Sequence, residues 1–195
     1  GTTGNDPLNG ASGNDTITGL GGDDTITGGA GNDTVDGGEG NDVYKVGLGD
    51  GFDLYKDTGT TGTDSILATA DNVAIGLQSG FGPASGIEII SANGHAGVTA
   101  AASSWNDTLN FSAVTLTGIT AIDGGAGNDT ITGSAAADTI IGGAGNDTLN
   151  GGEGGDTYLV GTGAGSDVYQ DTGTTGTDSI RASADKAVIG LTSFS

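Results

Sequence analysis

The sequence has 195 residues, 42 of them Gly, and sets 25 Asp and Glu against 4 Lys and Arg, for a net charge of -21. So few cations exclude a binder of nucleic-acid phosphates and argue against docking on an anionic membrane, and no run approaches the ~20 apolar residues that insertion across a bilayer requires. The lack of Cys excludes disulfides, thiolate catalysis and Cys-based zinc sites.

From residue 1 the chain divides into units of nine: GTTGNDPLN, GASGNDTIT, GLGGDDTIT, GGAGNDTVD and GGEGNDVYK. The sixth place is always Asp (Asp6, Asp15, Asp24, Asp33, Asp42), and the eighth is large and apolar or aromatic (Leu8, Ile17, Ile26, Val35, Tyr44). Val46–Gly47 and Asp57–Thr58 break the beat around two further units, LGDGFDLYK with Asp53 and GTTGTDSIL with Asp64. Residues 68–123 are poorer in Asp and richer in Ala, Val, Ile and Thr, with short apolar runs at Val73–Leu77, Ile87–Ile90, Val98–Ala101, Leu109–Phe111, Val114–Leu116 and Ile119–Ile122. Runs of that length without a helical period predict strands in wider turns, with a short helix over 68–74 also compatible with the alanines. Asp107, in WNDTLN, has the look of a decayed unit.

A second block opens at Gly124 with GGAGNDTIT, GSAAADTII, GGAGNDTLN and GGEGGDTYL, then TGAGSDVYQ and GTTGTDSIR. Its sixth-place residues are Asp129, Asp138, Asp147, Asp156, Asp167 and Asp178. A longer period overlies the short one, since Tyr44 recurs as Tyr158, Asp64 as Asp178 and Leu77 as Leu191, each 114 residues on. The second copy stops at Ser195, so the chain is expected to be a slice of a longer repetitive protein. Four segments follow: blocks over 1–67 and 124–181, the wide segment 68–123, and over 182–195 the start of another wide segment.

The chemistry of one unit follows from its residues. Gly at the first, second and fourth places permits the positive φ of a tight loop, which can turn successive carbonyls inward. The Thr-, Ile- and Val-rich end is too short for a helix but suits a strand of about three residues. One such strand is unstable alone, so the units must stack and bury their apolar residues on one another. Stacking also piles up Asp carboxylates, a column that repels itself unless a cation intervenes. A hard, oxygen-seeking dication with irregular coordination resolves this, and calcium fits better than magnesium.

These units, GGxGxDxUx as in Gly28–Asp36 and Gly142–Asn150, resemble the repeats-in-toxin (RTX, hemolysin-type) calcium-binding family. The resemblance implies an all-β fold, a right-handed parallel β-roll or β-solenoid with two units per turn. It also implies a calcium between each loop and the loop two units later. The earlier loop would give second- and fourth-place carbonyls and its Asp; the later loop would give first- and third-place carbonyls and its Asp. In the first block Thr2, Gly4 and Asp6 would then face Gly19, Gly21 and Asp24. Ala11, Gly13 and Asp15 would face Gly28, Ala30 and Asp33, and Leu20, Gly22 and Asp24 would face Gly37, Glu39 and Asp42. Gly29, Gly31 and Asp33 would meet Leu48, Asp50 and Asp53, and Gly38, Gly40 and Asp42 would meet Gly59, Thr61 and Asp64. In the second block Gly125, Gly127 and Asp129 would face Gly142, Ala144 and Asp147, while Ser134, Ala136 and Asp138 would face Gly151, Glu153 and Asp156. Gly143, Gly145 and Asp147 would meet Thr162, Ala164 and Asp167, and Gly152, Gly154 and Asp156 would meet Gly173, Thr175 and Asp178. Ala135, Ala136 and Ala137 depart from the usual glycines, although a carbonyl ligand survives a change of side chain. About nine calcium ions result, roughly +18 of charge to set against -21. Asp24, Asp33, Asp42, Asp147 and Asp156 would each bridge two ions, and Asp129 would touch one.

Other residues carry plainer readings. His95 is the sole imidazole and reads as an exposed loop residue, and Trp105, beside a strand, as core packing rather than a sugar platform. The four tyrosines, in the apolar eighth place, read as core. Glu88, between Ile87 and Ile89, reads as a solvated strand face. The Gly-rich loops lack the G-K-[ST] of a phosphate cradle, and Ser103, Ser104 and Ser112 lack a base, so no enzyme is expected.

The function expected is an extracellular calcium-dependent structural module: a stalk, adhesin, filament or surface-layer component. It would fold on meeting calcium after export, which the resemblance makes type I secretion, and would continue or self-associate end to end. An accessory or secretion module of a secreted hydrolase, epimerase or toxin, and a carbohydrate-binding solenoid, are the alternatives.

Overall fold

The computed structural model describes residues 1–183. The expected start of a further wide segment, with Ile189-Gly190-Leu191, lies outside the described residues apart from Ala182 and Ser183. The molecule is an all-β solenoid of about 8 turns, consistent with a β-roll. In chain order its strands begin with β1 (Pro7–Asn9), β2 (Thr16–Gly21), β3 (Thr25–Thr27), β4 (Thr34–Glu39), β5 (Val43–Val46), β6 (Phe52–Lys56) and β7 (Ser65–Ala68). Next come β8 (Ala74–Leu77), β9 (Ile89–Ser91), β10 (Thr99–Ala101), β11 (Thr108–Asn110), β12 (Thr115–Thr117) and β13 (Ala121–Asp123). Last are β14 (Thr130–Thr132), β15 (Thr139–Ile141), β16 (Thr148–Asn150), β17 (Thr157–Val160), β18 (Val168–Gln170) and β19 (Ser179–Ala182).

Every pairing among these strands is parallel. A six-stranded sheet runs β1-β3-β5-β7-β9-β12, a nine-stranded sheet β19-β17-β15-β13-β10-β8-β6-β4-β2, and a four-stranded sheet β11-β14-β16-β18. Up to β7 the chain alternates between the six- and nine-stranded sheets, and from β14 onward between the four- and nine-stranded ones. From β8 to β13 it visits all three, so these turns are three-sided. Strand β6 makes the junction: Leu54, Tyr55 and Lys56 pair back with Thr34, Val35 and Asp36, while Phe52 and Asp53 pair onward with Gly76 and Leu77.

The eighth-place residues form the core as ladders. Leu8, Ile26, Tyr44, Ile66, Ile90 and Leu116 follow one another up the six-stranded sheet. Ile75, Ala100, Ile122, Ile140, Tyr158 and Ile180 climb the nine-stranded one, and Leu109, Ile131, Leu149 and Tyr169 the four-stranded one. Thr and Ser beside them alternate outward, as the period of two in a strand requires. Interior rungs such as Ile66, Ile90 and Ile140 are fully buried, whereas the outermost rungs Leu8, Leu116 and Ile180 are only partly so. The wide turns are filled by a Phe81–Phe111 pair with ring centroids 5.6 Å apart.

Two expectations need correction. Residues 68–74 form no helix: β7 runs through Ala68, a turn follows, and β8 begins at Ala74. The ladder hydrogen bond from Thr69 N–H to the Val46 carbonyl (2.9 Å) outweighs alanine's helix preference. Trp105 is not core, because it is 77% exposed on the loop before β11. The apolar requirement there is met by Leu109 and Phe111, both buried. The tyrosines, by contrast, are all buried.

Because a rung is shared by two neighbouring turns, Ile122→Ala should cost about 2–5 kcal/mol of folded-state stability, against roughly 0.5 kcal/mol or less for the exposed Thr115→Ala. Denaturant unfolding in calcium of both variants checks the contrast.

Candidate metal centre

Parallel stacking sets the geometry of the loops. Each sixth-place Asp donates its backbone N–H to Oδ1 of the Asp one turn on: Asp6 to Asp24 (2.8 Å), Asp24 to Asp42 (2.7 Å) and Asp42 to Asp64 (2.6 Å) on one edge. Asp15 to Asp33 (2.8 Å) and Asp33 to Asp53 (2.9 Å) form a second column. In the second block the steps are Asp107–Asp129, Asp129–Asp147 and Asp147–Asp167, and separately Asp138–Asp156 and Asp156–Asp178. All nine loop pairs of the repeat pattern are thus adjacent in space. Asp107 adds a step, so Asp129 is interior to its column and not an end as the pattern implied.

The other carboxylate oxygen divides the set. Asp15, Asp24, Asp33, Asp42, Asp129, Asp147 and Asp156 each keep Oδ2 buried with no hydrogen-bond partner. Asp15 is bare although it opens its column, whereas five other end residues satisfy theirs within the protein. Thr2 donates N–H (2.5 Å) and Oγ1 (2.8 Å) to Asp6, Ser103 donates N–H (2.9 Å) and Oγ (2.7 Å) to Asp107, and Ser134 donates N–H (2.6 Å) to Asp138. Tyr55 and Tyr169 donate their hydroxyls to Asp53 (2.9 Å) and Asp167 (3.0 Å). These tyrosine and Ser/Thr caps were not anticipated, and Asp-x-Tyr alone does not signal them, since the Tyr44 and Tyr158 hydroxyls of NDVYK and GDTYL go to the Lys56 and Gln170 carbonyls instead.

The glycines explain why the loops close so tightly. A Cβ on Gly19, Gly28, Gly37, Gly142 or Gly151 would overlap Oδ2 of that loop's own Asp. Gly10, Gly124 and Gly133 face Asp15, Asp129 and Asp138 in the same way. Second-place carbonyls of Ala11, Leu20, Gly125 and Ser134 aim at the loop one turn on, where a side chain on Gly29, Gly38, Gly143 or Gly152 would meet them. Fourth-place carbonyls of Gly13, Gly22, Gly127 and Ala136 do likewise below Gly31, Gly40, Gly145 and Gly154. From the later loops, third-place carbonyls of Ala30, Asp50, Thr61, Ala144 and Ala164 turn back to accept from Gly13, Gly31, Gly40, Gly127 and Gly145. Thr61 and Thr175 also donate hydroxyls to Glu39 (2.6 Å) and Glu153 (2.7 Å) on the loop rim. In the broken units Gly59 and Gly173 sit below the second-place carbonyls of Gly38 and Gly152, one step from the first place, and Leu48 is 67% exposed.

Two acidic residues join the columns unannounced by the nine-residue beat. Glu88 is exposed, yet its Oε2 accepts the Asp64 N–H at 2.8 Å and so continues that column. Asp57 brings a carboxylate oxygen within 4.8 Å of those of Asp42 and Asp64. His95 stands apart, partly buried, with Nδ1 at 3.2 Å from Asp71.

Burial pushes these carboxyls up, and like charges one turn away add to it. Asp129 and Asp156 rise to about 6, as does Asp53, and Asp64, beside Asp57 and Asp42, to about 7. Asp42, Asp138 and Asp147 rise as well, mainly through burial. Four Lys and Arg in the whole sequence cannot neutralise such a set. Buried oxygens without a donor, closely set carbonyls and carboxylates resisting ionisation together make a donor set for a hard cation with oxygen ligands.

Fold and site define a parallel β-solenoid whose loop edges are built to hold cations. The family model described as RTX calcium-binding nonapeptide repeat (4 copies) matches residues 1–35, 18–53 and 123–158. Over those residues the chain belongs to that family, whose repeats are generally structural, calcium-binding units. No curated protein matches the chain.

The raised carboxyl values give a pH dependence with a definite sign. Between the ordinary value of 3.8 and about 6 to 7, the folded metal-free columns hold protons that the unfolded chain has lost. The folded state binds more protons in this window, so metal-free stability rises as pH falls from about 7 towards 4. Calcium, which takes the ionised form, should bind more weakly over the same range. Circular dichroism of metal-depleted chain should show more β structure near pH 5 than near pH 7.5; matching spectra would contradict the shifts.

Proposed function

We propose that the chain is an extracellular structural module that folds when calcium fills its loop edges after export. The observation that carries this reading is the set of seven buried Oδ2 atoms stacked in columns with no donor. Family membership points the same way, since RTX repeats are typically found in secreted proteins. Among the described residues no helix is long and apolar enough to cross a membrane.

The ligands on this reading are the two Asp residues of each loop pair, the second- and fourth-place carbonyls of the earlier loop and the first- and third-place carbonyls of the later one. What calcium supplies is positive charge and a coordination sphere; the chain's own part is to present oxygens one turn apart on parallel ladders. Sites of extracellular affinity, Kd roughly 10⁻⁴–10⁻³ M, stay empty in the cytosol. The chain would then be unfolded before export and would fold outside, with each site adding about 1.4 kcal/mol at ten times Kd. Nearly two copies of a 114-residue unit favour a stalk, filament or surface layer built by continuation.

Calcium titration followed by circular dichroism should show a disordered chain in chelator at neutral pH and a cooperative gain of β signal. A compact β spectrum in chelator at that pH would defeat the reading. Within the columns, Asp147→Ala removes an interior residue with a bare Oδ2, whereas Asp138→Ala removes an end residue capped by Ser134. The Asp147 variant should lose more calcium cooperativity, and equal losses in paired titrations would argue against bridging.

A second reading is favoured by Trp105. Its exposed ring borders a groove of about 320 Å³ shared with Asn32, Phe52, Gln78, Ser79 and Ser103, an aromatic face beside amides and hydroxyls that suits a sugar ring. Glycan-array binding by the calcium-loaded chain, abolished by Trp105→Ala, is the result this reading requires.

A further inference from the structure

The residues that break the nine-residue beat bring a carboxylate with them. Among the described residues, Asp42, Asp57 and Asp64 each place one carboxylate oxygen within 4.8 Å of the others. Asp42 is wholly buried; its Oδ1 accepts the Asp24 N–H at 2.7 Å, and its Oδ2 has no partner. The repeat pattern supplies two carboxylates per loop pair, Asp42 and Asp64 here. Asp57 belongs to neither nonapeptide.

Its position is held from three directions. Tyr44, wedged under the loop, donates its hydroxyl to the Lys56 carbonyl at 2.6 Å and fixes the chain just before Asp57. Asp57 Oδ1 then accepts the N–H groups of Gly38 (3.1 Å) and Gly59 (3.2 Å), one from each loop of the pair. Its own N–H donates to the Ser85 carbonyl of the wide segment at 2.7 Å.

The second copy has the same carboxylates, Asp156, Asp171 and Asp178, but not the same arrangement. Asp36 of the first copy is Asn150 in the second. Asp36 accepts from Thr58 N–H (3.1 Å) and Oγ1 (3.0 Å), and the Gly38 N–H goes to Asp57. Asn150 accepts from Thr172 N–H (3.2 Å) in the same way but takes the Gly152 N–H (3.3 Å) as well, and Asp171 accepts from Gly173 alone of the two equivalent glycines (2.7 Å).

We propose that Asp57 is a third carboxylate ligand at the site between loops 37–42 and 59–64, making it the tightest cation site of the chain and one biased towards higher charge. The inference rests on the reading that these loop pairs bind calcium. Ligand charge count tunes calcium affinity, and three carboxylates reward a trivalent ion more than two do. A tight site at the end of the first block, beside the wide segment, is where folding on calcium would start.

The test is a competitive calcium titration against a chromophoric chelator on the full chain, its Asp57→Asn variant and its Asp171→Asn variant. Asparagine keeps the Oδ1 that Gly38 and Gly59 use and replaces Oδ2 by an uncharged NH2 group that cannot ligate a cation. Asp57→Asn should weaken the tightest step on the order of tenfold and leave the later steps in place, while Asp171→Asn should leave the tightest step unchanged. An Asp57→Asn titration like the wild type, or equal losses in both variants, would overturn the proposal. No calcium binding by the wild type would instead bring down the functional reading beneath it. A second measurement needs no substitution: in calcium-saturated wild type, substoichiometric gadolinium should broaden the amide signals of Gly38 and Gly59 before those of Gly152 and Gly173. Simultaneous or reversed broadening counts against it.

Discussion

The structure depends on the cost of burying a carboxylate with one oxygen bare. Parallel strands recur at about 4.8 Å, so a chain that puts Asp in the same place of every turn must stack its carboxylates at nearly that interval. Oδ1 accepts the backbone N–H of the preceding turn's Asp, which makes the column part of the sheet's own hydrogen-bonding scheme. Oδ2 has no such donor, and among the described residues no Lys or Arg is buried. Fold and cation demand are therefore one constraint: the ladders that bury Ile66, Ile90 and Ile140 also bury Asp24, Asp33 and Asp147.

The ends of the columns show the same constraint solved without metal. At five of these ends the protein supplies a hydroxyl or an amide: Thr2, Ser103 and Ser134 at the start of columns, Tyr55 and Tyr169 towards their close. Each Tyr of this kind packs edge-on against the eighth-place Tyr of the preceding unit, Tyr44 with Tyr55 at 5.6 Å and Tyr158 with Tyr169 at 5.3 Å. Capping and core packing are thus done by one side chain.

Much of this was legible in the sequence because the nine-residue period and the turn of two units are commensurate. An Asp every nine places lands above the Asp eighteen before it, and an apolar residue two places later lands in a ladder. What was not legible depended on longer or irregular spacings. Glu88 lies 24 residues beyond Asp64 and joins its column only because the wide turn is that long. Asp57 looked like an insertion because its partners, Asp42 and Asp64, are set by the stacking of turns and not by neighbours in sequence. Trp105 beside a strand resembles core, but the rungs there belong to Leu109 and Phe111, and the ring is left outside. The exchange of one wall of the solenoid for another between β8 and β13 follows from three-sided turns, which no local pattern announces.

The spacing of the contacts has a kinetic side. Column bonds join residues 18 to 24 positions apart, in a chain of 195 residues. That is a relative contact order of about 0.1, the range of helical bundles, whereas sandwiches and barrels of strands lie near 0.2. Assembly of this all-β chain therefore closes only short loops, each costing little more entropy than the last. A turn formed anywhere presents a finished edge to the turns on both sides, and growth can run outward in either direction. Such a chain has the speed limit of a local fold, set by short loop closures and not by the search for distant partners.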